Sequence, residues 1–557
     1  MNLIHRLIVA TLAVLPVHSL LAQKNLQDYI PSDARAVIQI NVPSLATKMS
    51  WSEIQSLSFF EEGLKEAPKE AREFLQNPLS SGVNFFSNFY IVSVDGGKDQ
   101  IKPDTYIYGA IADTAKFHAF IKNMLPDKKI TKAGDIRLLT DKKSSIAWTP
   151  HVFVIAAPKK NKMDQPTGTK KKNTKATTTD KTNPLAVFKK LLTPAAKPLS
   201  TDPRFQKHSA EAGDIRFWIN REISKQQSGL KKSDELLKMM NMGALNGQEI
   251  AGIVNFESGR AVVKMTNYLN STMDSLYRQY PVSGLNQQVI RKLPGGQPVI
   301  LWSFNMSPDL LKATFKTMGV DKMLDSVSNK SKIKPRDLIN GLKGDLTLAV
   351  IRVNEFDETD SITSALNGLQ AFLAVSIKDK SKVQPFIDDL KKPKTGTEDQ
   401  PKSKGPFGGM KPAVHLTDSL LIVSLTETAA QKFLASHGEN ESSELVAPYA
   451  NHASIFSIDL GTILDFASQM SKKGQDDAEM KKVREVLDRL VLYGGKYENG
   501  ALHSRGELIF ANSKENSLRQ LITLVEFAAE ADKKNKQKRA EMRERVIIDE
   551  EIKIEEQ

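Results

Sequence analysis

The feature that most constrains the fold of this 557-residue chain is an internal repeat. Near the start, Tyr29-Ile30-Pro31 leads to Ala36-Val37-Ile38-Gln39-Ile40-Asn41 and then Pro43-Ser44-Leu45. In the middle, Leu293-Pro294 leads to Val299-Ile300-Leu301-Trp302-Ser303-Phe304-Asn305 and then Pro308-Asp309-Leu310. Each stretch reads as a turn, a short strand ending at Asn, and a helix with proline near its first turn. Asn41 and Asn305 stand 264 positions apart. A second match holds an offset of 266: Tyr108-Gly109-Ala110-Ile111-Ala112-Asp113 with Lys116, Phe120 and Ile121, against Ala374-Val375-Ser376-Ile377-Lys378-Asp379 with Lys382, Phe386 and Ile387. In both, an apolar strand meets an aspartate placed to cap a helix. Residues 152–157 then match 420–425 at 268. Beyond that the register falls, with 214–220 against 453–459 at 239 and Phe256-Glu257-Ser258-Gly259 against Tyr497-Glu498-Asn499-Gly500 at 241. The last pair reads as two hairpin turns, where glycine supplies the positive φ. Matches that keep their order through a change of register point to a duplication with an extra insert in the first copy.

The fold class expected from this is α+β: two tandem similar halves, each a mostly antiparallel sheet with helices packed on one face. Many strand runs alternate apolar and polar residues, the pattern of a sheet with one wet side. Helices are expected at 113–125, 225–240, 382–390 and 477–490. A doubly wound parallel sheet is disfavoured because no glycine-rich phosphate turn follows a strand. The first half spans 23–280 and the second 281–530. Residues 531–557 form a charged tail, with eight basic residues placed mostly before eight acidic ones from Asp532 on. That arrangement suits a mobile helix or a docking element.

The formal charge of +13 resolves into two segments and one residue. Residues 158–190 hold ten lysines against Asp164 and Asp180, and residues 391–412 hold six lysines against Glu398 and Asp399. With Arg6 these account for the whole excess, so the rest of the chain is neutral. Both segments are rich in Lys, Thr, Pro and Gly without apolar periodicity. They therefore read as a disordered insert (158–200) and a flexible loop (391–412). Weak, salt-sensitive contact with an anionic envelope polymer through the insert is the partner expectation. Nucleic acid is excluded, because stacking aromatics do not accompany the lysines.

Residues 1–22 read as an export signal. Arg6 is the only charge before Lys24, Leu7 to Leu15 is apolar, and small Ala22 precedes Gln23. The run is shorter than the roughly 20 apolar residues that span a bilayer, and no later segment qualifies, so the mature chain has no transmembrane segment. The expected location is the periplasm, with secretion or outer-surface association as variants. The chain has no cysteine, which removes disulfides, thiolate zinc sites, iron–sulfur clusters and a cysteine nucleophile.

Tyr29-Ile30-Pro31-Ser32-Asp33-Ala34 followed by Val37-Ile38-Gln39-Ile40-Asn41 resembles the opening of a domain-of-unknown-function family of exported bacterial envelope proteins. The resemblance extends through about Glu530 and includes the restart at Leu293-Pro294. It implies location and a duplicated architecture. The family has no established activity, so no catalytic residue transfers.

The residues themselves offer no catalytic constellation. There is no Gly-x-Ser-x-Gly elbow, His-Glu-x-x-His helix or Walker lysine loop. Gly97-Lys98 and Gly495-Lys496 lack the upstream glycine of a phosphate loop. His118, His151, His208, His415, His437, His452 and His503 have no partner histidine within five positions. Asp388-Asp389 and Asp476-Asp477 are adjacent acids on charged faces, unlike a glycosidase pair. Glu355, Asp357, Glu358 and Asp360 lack the spacing and glycine of a calcium loop. Trp51, Phe59, Phe60, Phe85, Phe86, Phe89, Tyr90, Trp148, Trp218 and Trp302 read as core. No catalytic, cofactor or metal residue is assigned. The expected function is a non-catalytic exported scaffold or binding module, its site in a cleft between the halves. The alternative is an exported hydrolase of envelope glycan or peptide, with a site assembled from distant residues.

Overall fold

A computed structural model of the chain describes residues 25–67, 69–94, 104–140, 145–156, 184–221, 247–320, 334–353, 368–391, 412–436, 438–470 and 477–555. They fall into two compact units, one drawn from 1–222 and 249–256, the other from 223–248 and 257–557. Both are α+β and every strand pair of defined register is antiparallel.

In the first unit, β1 (Ala36–Ile40) lies between β2 (Phe89–Val94) and β8 (Ile215–Arg221). From β2 the sheet continues through β3 (Asp104–Ala110), β7 (Val152–Ala156), β6 (Ser145–Trp148) and β5 (Ile136–Thr140) to β4 (Thr131–Ala133). On the other side β9 (Gln248–Glu257) adjoins β8: Asp214 N–H donates to the Val254 carbonyl, and the Phe217 ring covers Gly252 so closely that a Cβ there would overlap it. The second unit centres on β11 (Gln297–Asn305), flanked by β12 (Leu342–Arg352) and β16 (Ser454–Asp459). One side runs β12, β13 (Leu369–Ile377), β15 (Leu420–Ser424) and β14 (Ala413–Leu416). The other runs β16, β17 (Leu487–Glu498), β18 (Ala501–Phe510) and β10 (Arg260–Tyr268).

In the second unit the helices pack on both faces of the sheet, not on one. On β13, Phe372 and Ala374 point into a core with Val289 and Ile290 of the helix Gln287–Ile290, Phe433 of Glu427–Ala435 and Val446 of Glu441–Val446. Their neighbours Val375 and Ile377 join Val383 and Ile387 of the helix Lys380–Lys391 on the opposite face. Consecutive strand residues point to opposite sides, so an apolar run in both phases needs cover on both. Helix starts follow local chemistry: Asn41 and Asp113 each accept from a backbone N–H in the first turn of Val42–Ala46 and Thr114–Met124.

Three boundaries differ from the sequence reading. The change of unit comes at 256/257, not 280, because β10 pairs along its length with β18. Residues 184–200, expected within the disordered insert, are built into the first unit. Phe188 of the helix Pro184–Leu191 is buried, and Ser32 and Leu199 N–H groups donate to the Lys197 and Ile30 carbonyls. The expected helix 477–490 ends at Val486, where β17 begins. Residue 68, the export signal 1–22, residues 158–183 and 392–411, the helix 225–240, the acidic run 355–360, His437 and Asp476 lie outside the described residues. Residues 531–555 continue the helix Ser517–Glu555.

Candidate functional site

Each sheet carries exposed apolar side chains, among them Ile38 on β1 and Trp302 on β11. In the second unit Leu301 is fully buried under the helices, whereas Trp302 on the opposite face is 44% exposed. In the ladder, Trp302 lies between Leu348 of β12 and Phe456 of β16, and Phe456 lies opposite Leu492, itself 43% exposed. The Trp302 and Phe304 rings are 5.4 Å apart. Toward β15 the same ladder runs through Leu373 and Val423, which the helix Lys380–Lys391 covers. The patch is thus the uncovered end of a continuous apolar row.

The first unit repeats this layout. Ile38, 38% exposed, stands between Ile91 of β2 and Phe217 of β8, and Ile219 two residues along is 37% exposed. The row continues through Ile107 and Ile155 to the helix Thr114–Met124. Apolar side chains left in water forgo about 1.5–3 kcal/mol each. A contiguous apolar patch marks a contact surface more often than scattered leucines do. Sequence reading placed Trp302 in the core; its strand is apolar in both phases, and burial by phase cannot be read from such a run.

The buried carboxylates are held by internal donors. Asp214, 1% exposed, accepts from Ser44 Oγ (2.6 Å), Lys48 Nζ (2.5 Å) and Phe256 N–H (2.6 Å). Lys48 Nζ also donates to the Phe256 carbonyl at 2.8 Å, tying the helix Val42–Ala46 to β9. Asp345 accepts from Ser376 Oγ at 2.6 Å and Asn286 Nδ2 at 3.0 Å. Asp459 accepts from Arg489 Nη2 at 3.1 Å and Thr462 N–H at 2.8 Å, and also from Gln297. Glu507 is ion-paired with Arg505 (2.8 Å) and Arg260 (3.2 Å), and accepts from Tyr493 Oη at 3.0 Å. Burial first, then the Glu507 charge, pushes the Tyr493 hydroxyl up to about 12. These groups fix the chain; a general base needs a lone pair aimed at substrate.

His118 lies 6.0 Å from the Trp148 ring, and His208 lies 6.1 Å from that of Trp218. His415 Nε2 pairs with Glu427, His452 packs 4.8 Å from Tyr493, and His503 Nδ1 is 3.3 Å from Thr266 Oγ1. Burial holds His118 and His452 below the usual imidazole range. Among the described residues, no group of three or more His, Asp or Glu is placed to hold a metal ion, and no helix is long and apolar enough to cross a membrane. Asp388 hydrogen-bonds Gln384. Sequence reading named neither Glu507 nor the pocket of about 310 Å³ beside Trp51, lined also by Ser50, Gln76, Asn77 and Leu79. Their parts lie on elements that meet only in three dimensions.

An α+β chain of this kind, two units with apolar ladders and internally paired carboxylates, has a family. The chain belongs to the family described as a domain of unknown function (DUF4836), whose model matches residues 26–518. No curated protein sequence matches it. Among solved structures it is similar to crystal form I of TP0453, at 11% identity over 45% of this chain and 80% of that one, with a TM-score of 0.25. Crystal form III of TP0453 is similar at 12% identity over 48% of this chain and 90% of that one, also at 0.25.

Proposed function

We propose that this is an exported envelope protein of two tandem similar halves, acting as a non-catalytic binding module that engages an apolar surface through its sheet. The observation that carries the reading is the equivalence of Ile38 and Trp302, exposed apolar residues on corresponding strands β1 and β11. The offset of 264 relates them, as it relates Asn41 and Asn305.

Strand registers support the duplication independently of residue identity. The offsets read from sequence carry the pair Ile40–Ile215 onto Phe304–Ser454, and Tyr106–Ala156 onto Phe372–Ser424, and both images are observed pairs. Ser145–Ala156 likewise maps onto Ala413–Ser424. Single bonds recur too. Asn41 N–H donates to the Asp214 carbonyl as Asn305 N–H does to that of Ala453, and Asp113 N–H to Gly82 as Asp379 N–H to Gly341. Register is fixed by which face each strand buries, so coincidence in several pairs is demanding.

Location in the periplasm rests on residues 1–22, and it remains part of the proposal. The test is saturable binding of a fluorescent fatty acid to the purified protein, compared with I38D and W302D. Both side chains are more than half buried among apolar neighbours, so far-ultraviolet circular dichroism must show that each variant keeps its fold before its binding is read. Binding that each substitution weakens supports the reading; absent or unaltered binding sinks it. A turnover of envelope glycan or peptide lost on a single Asp or Glu change would favour a hydrolase instead.

A further inference from the structure

The cavity of about 310 Å³ in the first unit lies between two stretches of chain that start on local signals. Ser50 and Glu53 form a capping box that opens the helix Trp51–Gln55, and this helix brings Trp51 to one wall. The helix Lys69–Gln76 ends before Pro78, which opens the turn Pro78–Ser81, and Gln76 to Leu79 form the other wall. The two walls are tied together, because Gln55 Nε2 donates to the Gln76 carbonyl at 2.9 Å. Phe60 holds the Trp51 ring edge-on, with centroids 5.1 Å apart and planes at 87°. Ser80 and Ser81 Oγ close the turn on the Asn77 and Pro78 carbonyls at 2.6 Å each. The cavity is thus formed in advance of any ligand, which lowers the cost of binding one. Its chemistry is neutral, for no residue lining it is charged. Glu53, on the same helix, is engaged in the cap, its Oε2 accepting from Ser50 N–H and Ser50 Oγ at 2.6 Å each.

We propose that this cavity binds a neutral pyranose, either a free sugar or the terminal residue of a glycan. Its lining joins a partly buried indole, a proline and Leu79, 44% exposed, to the amides of Gln76 and Asn77. Both amide residues are exposed, and their side chains have no hydrogen-bond partner among the described residues. A pyranose is two-sided in the same way. Its C–H face is apolar and seats on the electron-rich face of an indole, while the hydroxyls at its edge match amides that both donate and accept. A charged ligand would leave its charge uncompensated here. An extended acyl chain is too long for a cavity at the small end of ligand sites. No carboxylate lines the cavity, so the sugar is bound without being cleaved. This site lies on other residues than the apolar rows through Ile38 and Trp302 and does not depend on them.

Saturation-transfer difference NMR of the purified full chain tests this, with the methyl pyranosides of glucose, galactose, mannose and N-acetylglucosamine. At least one should bind with a dissociation constant on the order of 1 mM, its ring C–H protons receiving the strongest transfer. The trisaccharide of the sugar that binds separates the two sources: tenfold tighter binding marks a glycan terminus, and equal affinity marks the free sugar. W51A should abolish the signal, and Q76A/N77A should weaken binding about tenfold or more, with the fold checked by far-ultraviolet circular dichroism. If W51A fails to fold, Q76A/N77A decides, because both of its side chains are exposed. Absence of transfer to all four sugars would overturn the proposal. So would binding that the folded variants leave unaltered, or transfer to a neutral proline-rich peptide in place of the sugars.

Discussion

His208 makes the first unit sensitive to acid. It lies on the helix Pro203–Ala210, is 5% exposed, faces Trp218, and its Nε2 has no hydrogen-bond partner among the described residues. Burial, assisted by the nearby Arg216 charge, pushes its pKa from 6.5 down to about 4. Because the folded value lies below the unfolded one, the neutral ring contributes in full above pH 6.5. Between 6.5 and about 4 the unfolded chain takes up a proton that the folded chain refuses, so stability falls as pH falls; below about 4 the loss is complete. At about 1.4 kcal/mol per pH unit, the whole interval is worth at most about 3.5 kcal/mol. The assay is urea unfolding at pH 7.5 and 4.5 for wild type, H208F and H208Q. Trp51, Trp148 and Trp218 all lie in the first unit, so fluorescence reports mainly on it. Carboxylates, His118 and His452 titrate in all three proteins and cancel in the comparison. The variants should lose about 2–3 kcal/mol less than wild type on acidification. Equal losses in all three would refute the argument.

Three other outcomes follow from the same geometry. D214A leaves Lys48, Ser44 Oγ and the Phe256 N–H around a vacated buried carboxylate site and should cost about 3–5 kcal/mol in thermal or urea unfolding. G82A places a Cβ 2.3 Å from the Asp113 carbonyl oxygen at φ 74°, while G341A meets Val383 Cγ2 at 2.7 Å. Both should destabilise, and G82A more, by about 3 kcal/mol or beyond against about 1–2 for G341A. F188A removes a buried ring from the helix Pro184–Leu191 and should lower the first unit's stability by about 3–5 kcal/mol, read as a fall in its melting temperature.

Much of the frame was legible because its signals are local. The aspartate caps at 113 and 379, the apolar spacing behind them and the glycine turns at 259 and 500 require only near neighbours. The face a strand buries was not legible where both phases are apolar, as around Phe372 to Ile377, so the second layer of helices went unforeseen. The unit boundary also escaped, since β10 looks like a partner only of its own hairpin until β18 is known. Residues 184–200 were masked by the composition ahead of them: lysines at 189 and 190 outweighed Phe188 and Leu199, which anchor the return. The exposed Trp302 looked like any core tryptophan, because exposure belongs to the covering layer and not to the residue.

The pairing of β10 with β18 sets a schedule for the chain. Thr266 and His503, opposite each other in that ladder, are separated by 237 residues. At roughly 5–20 residues per second, β10 emerges some 10–50 seconds before the strand that completes its edge. For that interval a nine-residue strand offers unpaired amides to any passing neighbour. Lys264, in the middle of β10, is a charge of the kind that discourages such encounters, and slowing synthesis between residues 270 and 500 should raise aggregation more than slowing it earlier.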